Sequence, residues 1–316
     1  MMLLRPMLQW VSPVGARARL SVLIFHRVLT APDPLFPNEM HVARFDALCG
    51  WLASWFNVLP LDTALGQLKA GTLPARAASI TFDDGYADNH HVAMPILQHH
   101  GMTATFFIAT SFLDGGRMWN DTIVESIRGC TKPTLDLSSL ELGRHALGAI
   151  SEKKAAITAL IGQVKYQPVQ ERISTTEKIA YLAGVQLPYD LMMTSDEVKA
   201  MRHAGMQIGA HTMSHPILAR LTDAQARHEI EGSKNFLEEL LSERVSLFAY
   251  PNGKPGEDYT PQNVELVRSL GFDAAVSTQW GASSAEDDML QVRRFTPWDQ
   301  SRWRFGTRLL VNLHNA

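Results

Sequence analysis

Cysteine is scarce in this sequence of 316 residues, which contains only Cys49 and Cys130. The two cysteines are far apart and neither lies in a C-x-x-C spacing, so the sequence offers neither a disulfide framework nor a cysteine-rich zinc site. A strong charge of one sign is also missing, because the formal net charge is −3. Bulk attraction to nucleic acid is therefore not expected, and we predict no nucleic-acid partner.

Long hydrophobic runs are missing as well. The uncharged stretch 6–16 is too short to cross a bilayer, and it lacks an apolar region followed by a small-residue cleavage site. We expect residues 1–19 to form a surface helix or a lead-in to the first strand, with no transmembrane segment. This N-terminus favours the cytoplasm or its membrane surface, and export stays open as an alternative. Four apolar residues would make any weak contact with a membrane surface: Met7, Leu8, Trp10 and Val11.

Apolar, β-prone runs alternate with amphipathic segments through most of the chain. We predict strands at 20–25, 57–59, 77–82, 103–109, 206–210, 246–250, 272–277 and 290–294. We predict helices at 42–56, 61–69, 87–100, 195–204, 222–243 and 261–270. This alternation is typical of a parallel sheet with helices outside, and about seven strands can close into a barrel.

Residues 112–194 break this pattern, because they are helix-rich, more polar and without a strongly apolar strand. We interpret them as a helical insertion within a single domain that spans residues 20–316. No glycine-rich phosphate-binding fingerprint follows any predicted strand, so a dinucleotide-binding fold is disfavoured.

Two adjacent carboxylates follow one of the predicted strands. Asp83 and Asp84 come directly after the β-prone run Ile80-Thr81-Phe82 and precede Gly85. Two like charges at the end of a buried strand are costly unless a cation or a hydrogen-bonding partner offsets them. The pair therefore indicates a metal ion or a role in proton transfer.

Polar groups also follow three other predicted strands. His26 follows the first strand, His211 follows the strand at 206–210, and Tyr250-Pro251-Asn252-Gly253 closes the strand at 246–250. In a β/α barrel the active site is built from the loops at the carboxyl ends of the strands. We therefore expect these groups to meet the two aspartates on one face.

The segment His211-Thr212-Met213-Ser214-His215-Pro216 places two histidines four residues apart. The spacing alone is weak in a chain with 12 histidines. Combined with the aspartate pair, two imidazoles and one carboxylate make a three-ligand site that suits catalytic zinc and leaves a position for water. The second carboxylate then remains free to act as a base.

Together these motifs resemble those of the polysaccharide deacetylase family (the NodB-homology, carbohydrate esterase 4 group). The resemblance is carried by Thr81-Phe82-Asp83-Asp84-Gly85 and by the H-T-x-S-H-P sequence at 211–216. The run from Phe248 to Gly253 is similar to a third motif in the form found in bacterial exopolysaccharide deacetylases, and Phe25-His26-Arg27-Val28 is similar to the first strand of that branch. The resemblance covers about 20–110 and 195–296, without the insertion.

The resemblance implies a distorted (β/α)7 barrel and metal-dependent hydrolysis of the acetamide of an N-acetylated sugar. The substrate would be a polysaccharide, an oligosaccharide or a lipid-linked glycan. The resemblance implies that Asp84, His211 and His215 hold one divalent metal ion, most commonly Zn²⁺. It also implies that Asp83 is the general base for the metal-bound water, and that the backbone N–H near Asn252 helps to hold the oxyanion.

The chain departs from the family pattern at two positions. Ala249 stands where the family often has an arginine that orients the base, and Gln291 stands where it often has a histidine acid. We expect Arg293 or Arg294 to supply the missing arginine, with Arg294 as the candidate for catalytic support. The acid that protonates the leaving amine stays unassigned.

Four residues are candidate substrate contacts: His26, Trp119, Tyr250 and Pro251. His26 is open between an active-site wall and a core histidine, and Trp119 offers an aromatic face at the start of the insertion. We interpret four histidines of segment 87–100 as solvated helix surface: His90, His91, His99 and His100.

Two other functions stay open at this point. The departures from the family pattern are compatible with a saccharide-binding homologue that has no catalytic activity. A related-barrel hydrolase of a small cyclic amide or urea-like substrate would use the insertion as a lid. A zinc peptidase is disfavoured because no H-E-x-x-H occurs.

Overall fold

The structure is a computed structural model that describes residues 4–314. These residues form two compact units, and each is described by itself. The first comprises residues 4–31, 40–113 and 193–314, and the second comprises residues 32–39 and 114–192.

Seven strands of the first unit form one sheet in which every pair is parallel. In chain order, the nine strands found in residues 4–314 are β1 (Leu20–Phe25), β2 (Asn57–Val58), β3 (Ala77–Phe82), β4 (Thr105–Ile108), β5 (Thr134–Asp136), β6 (Arg144–Ala146), β7 (Gln207–Ala210), β8 (Leu247–Ala249) and β9 (Ala274–Val276). The order across the sheet is β1-β3-β4-β7-β8-β9, with β2 beside β3. This α/β architecture confirms the predicted barrel-type fold.

Helices connect the strands, as parallel pairing requires. In chain order, the α-helices of residues 4–314 are α1 (Leu4–Val11), α2 (Val42–Trp55), α3 (Leu61–Lys69), α4 (Met94–His99), α5 (Trp119–Gly129), α6 (Ile150–Val164), α7 (Val169–Ala183), α8 (Ser195–His203), α9 (Asp223–Leu241), α10 (Pro261–Ser269) and α11 (Arg302–His314). The helix predicted over 87–100 is confirmed over 87–99, except that Asn89–Ala93 form a π-helical turn that leads into α4.

The predicted strand at 290–294 is wrong as a regular strand. The segment makes single-residue bridges instead: Val292 pairs with Val276 of β9, and Phe295 pairs with Leu23 of β1. Backbone hydrogen bonds of 2.7–3.1 Å join Phe295 to β1 on its Val22 and Ile24 sides. The segment therefore connects the last strand of the sheet to the first, and it carries Arg294 between these two bridges.

A row of aromatic rings lies on the helix-facing side of the first strands. Phe25, Phe82 and Phe106 stand in register on β1, β3 and β4, and neighbouring rings stack with centroids 5.2 and 4.8 Å apart. Phe45 of α2 packs edge-on against two of these rings. Because side chains alternate along a strand, the residue after Phe82, Asp83, points away from α2 and into the barrel.

The N-terminal helix α1 packs into the core instead of lying free. Leu4 and Leu8 are buried, while Met7 and Trp10 are 48% and 84% exposed. The prediction that Leu8 could contact a membrane surface is therefore wrong, because this side chain is covered by protein. No helix between residues 4 and 314 is both long enough and apolar enough to cross a bilayer.

The second unit contains helices α5, α6 and α7 and a two-stranded antiparallel sheet of β5 and β6. The sequence did not predict these strands, because each has three residues and exposes at least one side chain at its ends. The proline-rich loop 32–39 also belongs to this unit. Leu35 is part of the apolar core of this unit. Two guanidinium nitrogens of Arg128 in α5 donate to the two carboxylate oxygens of Asp33 at 2.6 and 3.1 Å.

Candidate active site

Asp83 is buried at the end of β3 and is held by Arg294. Two guanidinium nitrogens of Arg294 donate to the two carboxylate oxygens of Asp83 at 2.7 Å each. Arg294 is itself fully buried, and its Nε donates to the carbonyl of Ser277 at 2.7 Å. The flat, forked guanidinium fixes the plane of the carboxylate, which a lysine could not do. Arg293 instead pairs with Asp287 at 3.3 Å.

Asp84 faces two histidines across a gap. Its Oδ1 lies 3.4 Å from Nε2 of His211 and 3.5 Å from Nε2 of His215. That oxygen is buried and has no hydrogen-bond partner in the described part of the chain. Two atoms bound tetrahedrally to one zinc at about 2.0–2.2 Å stand roughly 3.4 Å apart. These donor atoms therefore fit a shared divalent cation, and the cation would satisfy the unpaired oxygen.

The His211 ring is oriented by the backbone of the neighbouring strand. Its Nδ1 lies 2.7 Å from the carbonyl oxygen of Ala249, and a neutral ring that donates this hydrogen bond leaves Nε2 with a free lone pair. Ala249 therefore contributes to the site through its main chain, although its side chain is only a methyl group.

The loop that carries the two histidines is strained and anchored. Thr212 and His215 have φ angles of 64° and 52°, in the left-handed region that most side chains avoid. Glu229 of α9 accepts hydrogen bonds from the backbone N–H groups of Met213 and Ser214 at 3.0 and 2.8 Å. The same carboxylate accepts from the Ser214 hydroxyl at 2.6 Å. Glu229 therefore fixes the loop that presents the imidazoles.

The electrostatics of the two aspartates favour their charged forms. Burial alone would raise the pKa of Asp83, but the charges of Arg294 and His211 outweigh it and lower the pKa below its usual range. Burial would likewise raise the pKa of Asp84, and the interactions with His211 and His215 lower it. Both carboxylates are therefore ionised at neutral pH.

The two histidines are shifted in opposite directions. Burial would lower the pKa of His211, but its interaction with Asp84 and the charge of Asp83 raise it. For His215, burial dominates and lowers the pKa to about 4. The His215 ring is therefore neutral at neutral pH, which is the form that can donate a lone pair to a metal.

The loop after β8 is tightly turned beside the site. Asn252 and Gly253 both have positive φ angles, 59° and 77°. A Cβ atom on Gly253 would lie 2.9 Å from the backbone nitrogen of Thr278, so only glycine fits there. The carbonyl of Asn252 accepts from the Thr278 hydroxyl at 2.8 Å, while Pro251 is buried.

Tyr250 does not present its ring as a sugar contact in this structure. The side chain is fully buried and stacks on Tyr259 with ring centroids 3.9 Å apart. Burial raises the pKa of its hydroxyl, which has no hydrogen-bond partner in the described residues. Tyr250 is therefore a packing residue beneath the loop that holds Asn252.

His26 is exposed at the end of β1. A positive charge on His26 would lower the pKa values of Asp83, Asp84 and His215. Asn89 donates a hydrogen bond of 2.8 Å to the backbone carbonyl of His26. The sequence alternative of a core histidine is therefore wrong.

Trp119 lies in the second unit at the start of α5. The guanidinium of Arg172 covers one face of the indole, 4.9 Å from its centroid. The ring is half-buried and packs against the apolar core of that unit. Its contact with a sugar stays a prediction.

Several residues that shape the site were not predicted from the sequence. Glu229, Asn89 and the carbonyl of Ser277 form hydrogen bonds to residues 15 to 63 positions away in the chain. A helix glutamate or a loop serine has no local signature that separates such a role from ordinary surface chemistry. Their contribution becomes visible only when the strand ends are brought together.

The fold and the site define the chain's family. The family model for polysaccharide deacetylases matches residues 70–275. The chain therefore belongs to the polysaccharide deacetylase family, whose members are hydrolases that act on C–N bonds of carbohydrates.

Individual relatives agree with this assignment. YxkH of Bacillus subtilis (strain 168), which carries a provisional polysaccharide deacetylase name, is 20% identical over 279 residues, or 88% of this chain and 71% of YxkH. The fold is similar to that of the Streptococcus pyogenes deacetylase PplD, solved in complex with acetate (TM-score 0.62, 18% identity, 94% of this chain and 98% of PplD). It is also similar to IcaB from Ammonifex degensii (TM-score 0.59, 17% identity, 96% of this chain and 98% of IcaB).

Proposed function

We propose that this protein is a metal-dependent deacetylase that hydrolyses the acetamide of an N-acetylated sugar in a polysaccharide, oligosaccharide or lipid-linked glycan. One observation carries the proposal. A carboxylate clamped by a buried arginine, Asp83, stands beside three donor atoms with the spacing of a shared cation, from Asp84, His211 and His215.

The residues present fit a divalent metal ion, and Zn²⁺ suits two imidazoles and one carboxylate. The buried, unpaired Oδ1 of Asp84 supports this assignment, because burial of an unsatisfied carboxylate oxygen is costly. When bound, the ion would polarise the acetamide carbonyl and lower the pKa of a coordinated water to about 7.

Asp83 is the general base in this proposal. It takes a proton from the attacking water, and Arg294 holds both oxygens of the carboxylate so that one face stays aimed at the nucleophile. Arg294 replaces the arginine that is missing at position 249. The two hydrogen bonds from Arg294 also prevent the Asp83 carboxylate from rotating toward the cation and becoming a fourth ligand.

The proton donor to the leaving amine is His26. It is the exposed imidazole whose charge acts on Asp83, Asp84 and His215, and it follows β1, the strand beside the one that ends at Asp83. An imidazole can lose a proton to the amine near neutral pH, which is what general acid catalysis requires.

The turn at Asn252 supplies the oxyanion contact. Its left-handed backbone is fixed by Gly253 and Thr278 at the carboxyl end of β8, and the backbone N–H near Asn252 is the donor in this proposal. N–H groups held in place before the reaction stabilise the developing charge without reorganising. Pro251 in this turn is a candidate contact for a sugar ring.

The test separates metal binding from chemistry. We expect His211→Ala to lose the metal and the activity together, since it removes a ligand. We expect Asp83→Asn to keep the metal and to lose nearly all acetate release from N-acetylglucosamine oligomers, since the amide cannot take a proton. Metal analysis and acetate release with and without chelator measure both properties.

Two results would contradict the proposal. Full activity of Asp83→Asn would remove Asp83 from the mechanism. Bound metal without acetate release from any acetylated sugar would favour the saccharide-binding homologue, since a binder needs no base.

A further inference from the structure

A second cluster of potential metal ligands lies outside the site described above. His90 and His91 occupy the π-helical turn Asn89–Ala93, and Glu197 is the third residue of α8. One nitrogen from each ring and one carboxylate oxygen all lie within 4.8 Å of one another. The sequence predicted both histidines to lie on a solvated helix surface, so this cluster arises from tertiary structure.

The two oxygens of Glu197 have separate roles. Its Oε2 accepts a 2.7 Å hydrogen bond from the backbone N–H of Thr194 and completes the capping box of α8. Its Oε1 faces the histidines, in a hydrogen bond with Nε2 of His91 and 3.7 Å from Nδ1 of His90. The helix cap therefore fixes the carboxylate and turns its other oxygen toward both histidines, where a cation would replace the hydrogen bond to His91.

His90 has a buried nitrogen that no protein group satisfies. Its Nδ1 has no hydrogen-bond partner within residues 4–314, and 3.7 Å is too long for a hydrogen bond to Glu197. The same distance is close to the roughly 3.4 Å that separates two ligands of one tetrahedral zinc. A shared cation would satisfy this nitrogen, whereas the present contacts do not.

The two consecutive histidines of the π-helical turn both face the carboxylate of Glu197. Here the two rings lie with centroids 5.1 Å apart and with different nitrogens turned toward Glu197. Two imidazoles and a carboxylate, without a thiolate, are ligands that suit Zn²⁺.

We propose that His90, His91 and Glu197 form a second zinc site, separate from the Asp84–His211–His215 set. The bound ion would tie the π-helical turn to the first turn of α8, two segments 106 residues apart in the sequence. His91 is exposed, so the ion would enter from solvent and complete its coordination with water.

The chain contains its own control for this site. His99 and His100 are also consecutive histidines, with ring centroids 5.2 Å apart, and His100 contacts Asp46 at 2.8 Å. In residues 4–314, however, this pair does not bring three potential ligand atoms within 4.8 Å of one another. It reproduces the composition of the proposed site without its geometry.

The experiment is a Zn²⁺ titration by calorimetry in a His211→Ala/His215→Ala background, where the first set of ligands is disabled. We expect one Zn²⁺ to bind per chain. Adding His90→Ala/His91→Ala should abolish the binding, and adding Glu197→Gln should weaken it at least about tenfold, or about 1.4 kcal/mol. Glutamine at this position preserves the helix cap, so the loss would report the anionic ligand. Adding His99→Ala/His100→Ala should leave the affinity within about twofold.

The chain without the background substitutions gives a second measurement. Zinc content should fall by one equivalent in His90→Ala/His91→Ala and stay unchanged in His99→Ala/His100→Ala, whether or not the Asp84 set binds metal. Unchanged zinc content in the first variant would overturn the proposal. So would equal losses in the two pairs, or a background chain that folds and binds no Zn²⁺.

Discussion

Arg294 offsets one of the two neighbouring buried negative charges, that of Asp83. Asp83 is satisfied by two charge-assisted hydrogen bonds of 2.7 Å from Arg294, while Asp84 keeps an unpaired oxygen toward His211 and His215. The two adjacent residues therefore have different surroundings. One carboxylate is held by a fixed cation, and the other is open to an exchangeable one.

Removing one member of the buried pair should cost more stability than removing both. We expect Arg294→Met to lower the free energy of unfolding by about 3–5 kcal/mol, because it leaves Asp83 charged and buried without a partner. Asp83→Asn/Arg294→Met should recover part of this loss, since no buried charge remains. Urea denaturation at neutral pH measures both changes.

The neighbouring residue is the control for this prediction. Arg293→Met removes a partly exposed ion pair with Asp287, and its effect should stay within about 1 kcal/mol. Equal losses of stability for the substitutions at positions 293 and 294 would contradict a special role of the buried Asp83–Arg294 ion pair.

Replacing His26, the exposed histidine near Asp83 and Asp84, should affect the catalytic step but not metal binding. We expect His26→Asn to lower kcat about 10²–10⁴-fold, because the leaving amine loses its proton donor. Metal content should stay unchanged, since His26 is not among the three proposed ligands. His99→Asn, at an exposed histidine of α4, should leave kcat unchanged. Acetate release and metal analysis check this, and loss of metal from His26→Asn would argue against the assignment.

At the scale of elements, helix α9 supports the loop between the two proposed histidine ligands, His211 and His215. Glu229 of α9 accepts three hydrogen bonds from Met213 and Ser214. Gly232, one turn further along α9, leaves space for Met213, because a Cβ atom there would lie 2.3 Å from its sulfur. The strained loop is thus held by a regular helix, which is the more rigid element.

Loss of the anchoring carboxylate should weaken metal binding without removing a ligand. We expect Glu229→Ala to lower the metal affinity about 10–100-fold, because the backbone of Met213 and Ser214 loses its acceptor and His215 is less well positioned. Glu231→Ala, on the same helix, removes only an exposed contact of 3.9 Å with Arg227 and should have no such effect. Competition with a chromogenic chelator measures the two affinities, and equal values would argue against the anchoring role.

At the scale of the whole molecule, the two ends of the described chain pack together. Helix α11 contacts α1, and Gly306 of α11 allows a close approach, since a Cβ atom there would lie 2.4 Å from Leu4 and 3.1 Å from Trp55. The segment that carries Arg294 immediately precedes α11. Helix α11 therefore stabilises the preceding segment, which closes the sheet and supplies Arg294.

Two glycine substitutions separate helix propensity from packing. Gly306→Ala should lower the free energy of unfolding by about 1–3 kcal/mol, because the methyl group overfills the contact with Leu4 and Trp55. Gly66→Ala, in α3, meets no atom within 4 Å and should stabilise the protein by about 0.5–1 kcal/mol through helix propensity. Thermal or urea unfolding measures the change in the free energy of unfolding for each variant. Stabilisation by both substitutions would contradict the packing argument.

The sequence predicted the barrel-type fold because the alternation of apolar runs and amphipathic segments is a local pattern. The positions of Asp83, His26 and His211 at strand ends followed from the same pattern. The strands β5 and β6 were missed because they are short and partly exposed, and the strand at 290–294 was overpredicted because a short local pattern does not reveal how a segment will pair. The burial of Tyr250 depended on Tyr259, which local sequence does not indicate.

The sequence by itself determined which groups can do chemistry here, because motifs such as Thr81-Phe82-Asp83-Asp84-Gly85 specify both side chains and a strand end. Only the tertiary structure decided which partner each group has. Arg294 rather than Arg293 clamps Asp83, and Glu197 faces His90 and His91, because such contacts join residues more than a hundred positions apart. Pairings at that distance depend on the closure of the sheet and the docking of helices, which no local pattern encodes.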